Sequence, residues 1–284
     1  MYYSFALAHD REITNSVYKR DYMKKAVALW GVILEAGLKK EYRRYADKKG
    51  EETQMSCKKY AYGQYTVNIS RGNQKMGDIH SVSLPRLITC PCNIPCAKDC
   101  YMRRLSTRPT VRNTYEENYQ TWKELPDWYW FSIIADCKVN QYFRWHVCGD
   151  IPSEQYLFGM IDVAKETPSC THLCFTKQYQ IVNNVLDAIA EEKELPENLI
   201  LVFSRWGTYP CDNKYNLPEA WVALEEMPEY AVKNGRMCTR SCEQCNMQNN
   251  GCFQMKRGDV VILTSGKRNE QEILKEQFER RGKS

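Results

Sequence analysis

The sequence predicts an α/β protein built as a partial (β/α) barrel of five to six parallel strands, with an N-terminal helical extension and a C-terminal cysteine-rich loop. Two observations carry that prediction. Short runs of β-branched and aromatic residues alternate with segments of helical periodicity, which is the pattern of a parallel sheet whose strands are buried on both faces. The 284 residues also leave room for one barrel-sized unit, which takes about 200–250 residues.

In the first fifty residues Tyr22, Ala26, Leu29, Trp30, Ile33 and Leu34 recur at spacings of three and four within a Lys- and Arg-rich stretch, which predicts a helix with a solvated basic face. The stretch from Lys48 to Lys59 reads as a connector and 65–69 as a strand of alternating character, so the domains are placed at residues 1–60 (helical extension) and 61–284 (a barrel-like, metal-binding domain). Residues 81–89 read as extended and 97–137 as helical, broken near Pro126. Residues 142–148 are mostly β-formers. Pro152, Ser153 and Glu154 then start a helix that puts Tyr156, Leu157, Met160, Ile161 and Ala164 on one face. A strand at 171–176 leads to a helix at 179–191 with Ile181, Val185, Leu186 and Ile189 inward. Strands at 199–204 and 259–264 and a helix at 269–281 complete the alternation.

Composition excludes several classes. With 26% charged and 43% hydrophobic residues and a mean hydropathy of -0.62, the chain is that of a water-soluble globular protein. No stretch approaches the roughly 18 apolar residues of a membrane helix, and the start lacks a basic segment before an apolar run, so no membrane partner and a cytoplasmic location are expected. A net charge of +5 is too small by itself to argue for nucleic acid. No Gly-rich nucleotide motif or Ser-His-Asp order is present.

The 14 cysteines carry the chemistry. In a reducing compartment, thiols clustered at short spacing mean metal more often than disulfides. Cys90, Cys92, Cys96 and Cys100 form one window, and Cys238, Cys242, Cys245 and Cys252 another; Cys57, Cys137, Cys148, Cys170, Cys174 and Cys211 are dispersed. Cys96 and Cys100 share a face at a helix start, and the Pro-containing loop can fold Cys90 or Cys92 toward them. Three converging thiolates suit an iron–sulfur cluster with one iron open, or zinc if a fourth ligand joins. His146, Cys148, Gly149 and Asp150, then Thr176 and Lys177, then Ser204 and Arg205 end successive strands, and chemistry in parallel sheets belongs at such ends. Gly149 allows close backbone approach, Asp150 can accept from a ligand amine, and Lys177 and Arg205 can hold a carboxylate or phosphate. The second window has little apolar content of its own, so a metal would supply the constraint; zinc and a four-iron (4Fe-4S) cluster both accept four cysteines.

Cys92, Cys96, Cys100 and Tyr101 after a strand resemble the cluster loop of radical S-adenosylmethionine enzymes, and Gly149-Asp150 resembles the Gly-Gly-Glu position that meets the cofactor's amino group there. More narrowly, Gly72-Asn73 with Lys75-Met76-Gly77, Ser83-Leu84-Pro85, Cys90-Pro91, Cys96-Ala97-Lys98, Cys100-Tyr101, His146 with Gly149-Asp150, Phe175-Thr176-Lys177 and the last cysteines are similar to the phage-associated gene-product-eighty-eight family, over about residues 65 to 267. That likeness makes Cys90, Cys96 and Cys100 the matching cysteines and Cys92 a bystander. The superfamily spacing is three then two residues, whereas here it is three then three, or five then three from Cys90. Three then two does occur at Cys238, Cys242 and Cys245, but without a preceding strand and with Asn246 in place of the aromatic, which implies an auxiliary cluster.

The resemblance implies one or two 4Fe-4S clusters on Cys90, Cys96 and Cys100 and on Cys238, Cys242, Cys245 and Cys252, with zinc as the alternative at the second. It implies S-adenosylmethionine among Tyr101, Gly149, Asp150, Lys177, Ser204 and Arg205. The activity so implied is reductive cleavage to a 5′-deoxyadenosyl radical that abstracts hydrogen from a substrate, with a reductant protein as partner. Two other readings stand beside it. In one, a zinc-stapled module binds nucleic acid through Arg103, Arg104, Arg108 and Arg112 interleaved with Tyr101 and Tyr115. In the other, a non-catalytic iron–sulfur protein keeps the barrel and lacks the cofactor site.

Overall fold

The chain pairs into a nine-stranded sheet that is antiparallel at one end and parallel through the rest. In the computed structural model, residues 57–263 and 279 are described, apart from 74, 93, 99, 191–194, 208 and 223–226. The helix expected in the first fifty residues and the one at 269–281 lie outside this set. β1 (Cys57–Tyr62) and β2 (Tyr65–Ser70) form a hairpin, and β2 pairs antiparallel with β3 (His80–Val82). Every later pairing is parallel: β3 with β4 (Tyr142–Trp145), then β5 (Thr171–Thr176), β6 (Leu199–Arg205), β7 (Glu219–Val222), β9 (Val260–Leu263) and, at the edge, β8 (Arg236–Met237).

Several boundaries differ from expectation. The parallel ladder holds β3 to β9, more strands than the five or six expected, because β7 and β8 are too short to show as apolar runs yet find partners on either side of β9. Among the described residues no ladder joins β8 to β1, so the sheet is established as α/β and mostly parallel. β1 begins at Cys57, which brings residues assigned to the N-terminal extension into the sheet. The extended stretch at 81–89 leaves the ladder after Val82, and Leu87, at a φ of 68°, turns the chain. The helix expected from 97 is a single 3₁₀ turn, Pro95–Ala97, followed by turns.

Helical structure resumes with α1 (Pro109–Glu124) and α2 (Pro126–Cys137), each with proline in its first turn; Pro126 lacks the N–H that would continue α1. α3 (Glu154–Glu166) is capped as expected, the Ser153 hydroxyl accepting from Tyr156 N at 3.3 Å. α4 (Tyr179–Ile189) crosses from β5 to β6, and the short α5 (Glu229–Asn234) and α6 (Cys242–Met247) lie near the C-terminal strands.

Alternation of side chains gives the sheet two unlike faces. On one, Phe143 and Trp145 of β4 pack with Trp130 of α2 and Tyr156 of α3, ring centroids 4.9–6.3 Å apart. Gly159 of α3 is required there, because a Cβ would come within 2.3 Å of the Trp130 ring. On the other face Leu173, Val202, Ala220 and Val261, from successive parallel strands, are covered by Met76, Ile79, Phe253 and Met255, which come from loops. The cysteine-rich C-terminal loop is therefore part of the core: Cys238, Cys242 and Cys252 pack against this layer, the Phe253 ring lies tilted against Tyr142 at 4.9 Å, and Cys242 N donates to Lys75 O at 2.9 Å.

Candidate functional site

The chain from Ser83 to Tyr101 leaves β3 at its carboxyl end and is fastened to the ends of the next two strands. Leu84 N donates to Cys148 O at 3.0 Å, and Cys148 N to the Ser83 hydroxyl at 3.2 Å. Thr89 is the main fastening. Its hydroxyl accepts from Asp150 N and donates to Pro85 O, both at 3.0 Å, and its carbonyl accepts from the Gln178 amide at 3.0 Å. Gly149 lies beneath this contact with a φ of 80°, and a Cβ there would stand 2.6 Å from Leu84 O and 2.7 Å from Thr89 Oγ1. Its backbone freedom serves the loop's close approach.

The fastening brings Cys90, Cys96 and Cys100, all partly buried, into mutual electrostatic contact. Burial pushes the Cys90 thiol up to about 11, and Asp150, Cys96 and Cys100 add to the rise. Burial also raises Cys96, against the Lys177 ammonium beside it. A fourth thiol belongs to the same group: Cys148 is buried, pushed up to about 12 first by burial and then by Cys100 and Cys90. From sequence it stands only as a strand-end residue; the signal for its role is that β3 and β4 run parallel, so the end of β4 must face the loop that leaves β3. Cys92 is exposed.

The other expected residues take distinct places. Tyr101 is an exposed residue whose hydroxyl donates to the Val147 carbonyl. Asp150 is buried, and both its oxygens are occupied: Oδ1 accepts from the Thr176 hydroxyl (2.5 Å) and Ile151 N (2.8 Å), and Oδ2 from Lys177 N (2.9 Å). It stitches the ends of β4 and β5 together, with three donors already on its carboxylate. Burial raises its pKa, with those donors opposing. Lys177 Nζ reaches the Ser204 hydroxyl at 2.7 Å, so a cation and a hydroxyl stand together beside Cys96. Arg205, next to Ser204 on the strand, points the opposite way. Its guanidinium lies 4.9 Å over the Trp221 ring, its Nε is 3.8 Å from Glu219, and it does not join the cysteine rim expected from sequence.

His146 is a core residue, its ring bonded to the Tyr156 hydroxyl at 3.0 Å, and burial, then Arg144, drive its pKa down to about 3. Arg144, not singled out from sequence, lies 4.1 Å over the Phe175 ring on the loop-covered face. Burial raises the pKa of Tyr101 on one side and of Cys242 and Cys252 on the other, and the Arg144 charge opposes all three rises, so it stands between the two cysteine groups. The thiols of the second window lie close enough to interact. Cys242 starts α6, Cys245 lies 2.9 Å from the Thr239 hydroxyl, and Cys252 is pushed up to about 11 by burial, with Cys238 and Cys242 adding. Arg103, Arg104, Arg108 and Arg112 are all exposed, in the turns before α1 and its first turn. No helix among the described residues is long and apolar enough to cross a membrane.

Residues 38–272 match the family described as Gene product 88. No curated protein and no solved structure matches the chain.

Proposed function

The chain belongs to the Gene product 88 family, and from that premise and the thiol geometry we propose that it is an iron–sulfur protein of radical S-adenosylmethionine type. The observation that carries this reading is the convergence of Cys90, Cys96 and Cys100 at the carboxyl ends of parallel strands, beside Lys177 and Ser204. The donor set fits a cluster. Three thiols with a position left open, and a second group of four, are donor sets that a four-iron cluster accepts; zinc accepts the four as well. Thiols whose pKa burial has raised need a metal's positive charge to ionise, so binding would release protons.

Bound together, the cluster and S-adenosylmethionine supply one-electron reductive cleavage of the cofactor. The chain's own residues would do the rest. Lys177 and Ser204 offer a cation and a hydroxyl to a carboxylate; Asp150 and Thr89 hold the strand ends and the loop in register; Tyr101 ties the loop's exit to Val147. Cys238, Cys242, Cys245 and Cys252 would hold a second cluster or a zinc. A substrate and a reductant protein are the partners this reading requires.

Cys148 favours a second reading, in which a fourth thiolate closes the cluster and the protein is iron–sulfur but not catalytic. Protein purified without oxygen separates them. The first reading expects about eight irons, a cluster spectrum that shifts on adding S-adenosylmethionine, 5′-deoxyadenosine after reduction, and retention of all iron in Cys148→Ser. The second expects no spectral shift and loss of iron in Cys148→Ser. Two zincs and no colour would overturn both and return the zinc-stapled module.

A further inference from the structure

A third thiol group lies at the amino ends of the parallel strands, opposite the strand-end loop. Cys137 ends α2, Cys170 immediately precedes β5, and His172 is the second residue of that strand. All three are 0% exposed. Their sulfur and ring-nitrogen atoms lie within 4.8 Å of one another.

Hydrogen-bond accounting fixes which imidazole nitrogen is available. The Thr167 hydroxyl donates its one proton to Val163 O at 2.7 Å. His172 Nε2 is 2.8 Å from that same hydroxyl oxygen, so Nε2 carries the hydrogen and Thr167 accepts it. The lone pair is thereby left on Nδ1, which faces the Cys170 thiol and has no other hydrogen-bond partner. An imidazole lone pair and two thiols gathered within 4.8 Å are three soft donors around one point. The backbone around it is already held: Asn198 Nδ2 donates to Ala164 O, Thr167 O and Cys170 O at 2.9, 3.1 and 2.9 Å. Asp136, adjacent to Cys137, is taken up by Lys58, Tyr60 and His80.

We propose that Cys137, Cys170 and Nδ1 of His172 form a buried site for one soft divalent cation, of which zinc is the type. Two thiolates and a neutral imidazole are a soft donor set, and their two negative charges would neutralise the ion inside the core. Thr167 is the positioning residue that sets the tautomer. The bound ion would staple the end of α2 to the start of β5, and the site stands whether or not the strand-end loop is catalytic.

The test is a zinc titration of reduced, chelator-stripped full-length protein followed by native mass spectrometry. Wild type is expected to bind one zinc more than Cys137→Ser/Cys170→Ser. Thr167→Val keeps the side-chain shape, removes the acceptor for Nε2–H, and is expected to weaken that one equivalent by about 10- to 100-fold. Should the double variant fail to fold, the Thr167→Val comparison decides. Equal zinc binding by wild type and Thr167→Val, or a Cys137–Cys170 disulfide in protein prepared without oxygen, would overturn the proposal.

Discussion

Between Ser83 and Tyr101 the strand-end loop is held by Thr89, by Ser83 and by the Leu84 backbone, all bonded across to the ends of β4 and β5. The C-terminal loop has fewer ties, among them Cys242 N to Lys75 O at 2.9 Å and the Arg236 guanidinium to Gly251 O at 2.9 Å. It also carries more unmet polar atoms: Asn246, 7% exposed, has partners for neither amide atom and Gln254 Oε1 has none, against Arg86 Nε in the strand-end loop. Unmet buried groups cost about 1–3 kcal/mol each. Hydrogen bonds thus shape the strand-end loop, and under the proposed function the C-terminal loop would rely more on its metal.

The largest expected effect breaks or upholds that contrast directly. Cys96→Ala/Cys100→Ala and Cys242→Ala/Cys252→Ala should each remove about half of the bound metal. The first pair should abolish 5′-deoxyadenosine formation and lower the melting temperature by only about 2–4 °C, since the loop keeps its hydrogen bonds. The second should lower it by about 10 °C or more. Equal melting shifts in scanning calorimetry would show that both loops depend on metal alike.

Next come two glycines. Gly149→Ala must push a Cβ into Leu84 O and Thr89 Oγ1, at a positive φ, and is expected to cost about 2–3 kcal/mol in urea unfolding. Gly251→Ala meets the far ends of Asn246 and Gln254, at 2.5 and 2.9 Å. These side chains can swing aside, so the cost should be about 0.5 kcal/mol. Similar losses for the two would mean the strand-end loop is no stiffer than the other.

A smaller effect is the pH dependence of Asp150→Asn. Asp150 has its pKa raised above 3.8 by burial, so the native state holds the proton more tightly than the unfolded chain. Its contribution to stability is full below the unfolded pKa of 3.8 and declines as pH rises through the higher folded value. The variant should lose that decline and pay about 1–2 kcal/mol at neutral pH, because an amide Nδ2 would face the Lys177 N–H. Urea unfolding at a series of pH values between about 4 and 7 reads the slope; an unchanged slope removes Asp150 as the stitch between strands.

The same contrast explains what was legible. β4, β5, β6 and β9 were readable because buried parallel strands are runs of apolar β-formers, and the α3 cap because Ser153 and Glu154 sit where a helix must start. β1 read as a connector because its pattern, CKKYAY, is that of an exposed edge strand. The C-terminal thiols were legible from spacing alone, since they are neighbours in sequence. Cys148 and Arg144 were not, because their closeness to the loops arises from strand pairing over long separations. Arg205 shows the limit of naming strand ends by position: one residue beyond Ser204, the side chain changes face.

The smallest expected effect is none at all, and it sharpens the comparison most finely. Cys92 lies within the strand-end window by sequence and is exposed, while Cys148 lies 56 residues beyond it and is buried against the loop thiols. If the loop is shaped by its fastening rather than by cysteine spacing, Cys92→Ser should leave iron content, spectrum and melting temperature unchanged. Loss of iron on that substitution would mean that the loop rearranges on loading, with Cys92 displacing Cys90 as a ligand, and the rigidity argued from Thr89 and Gly149 would have to be given up.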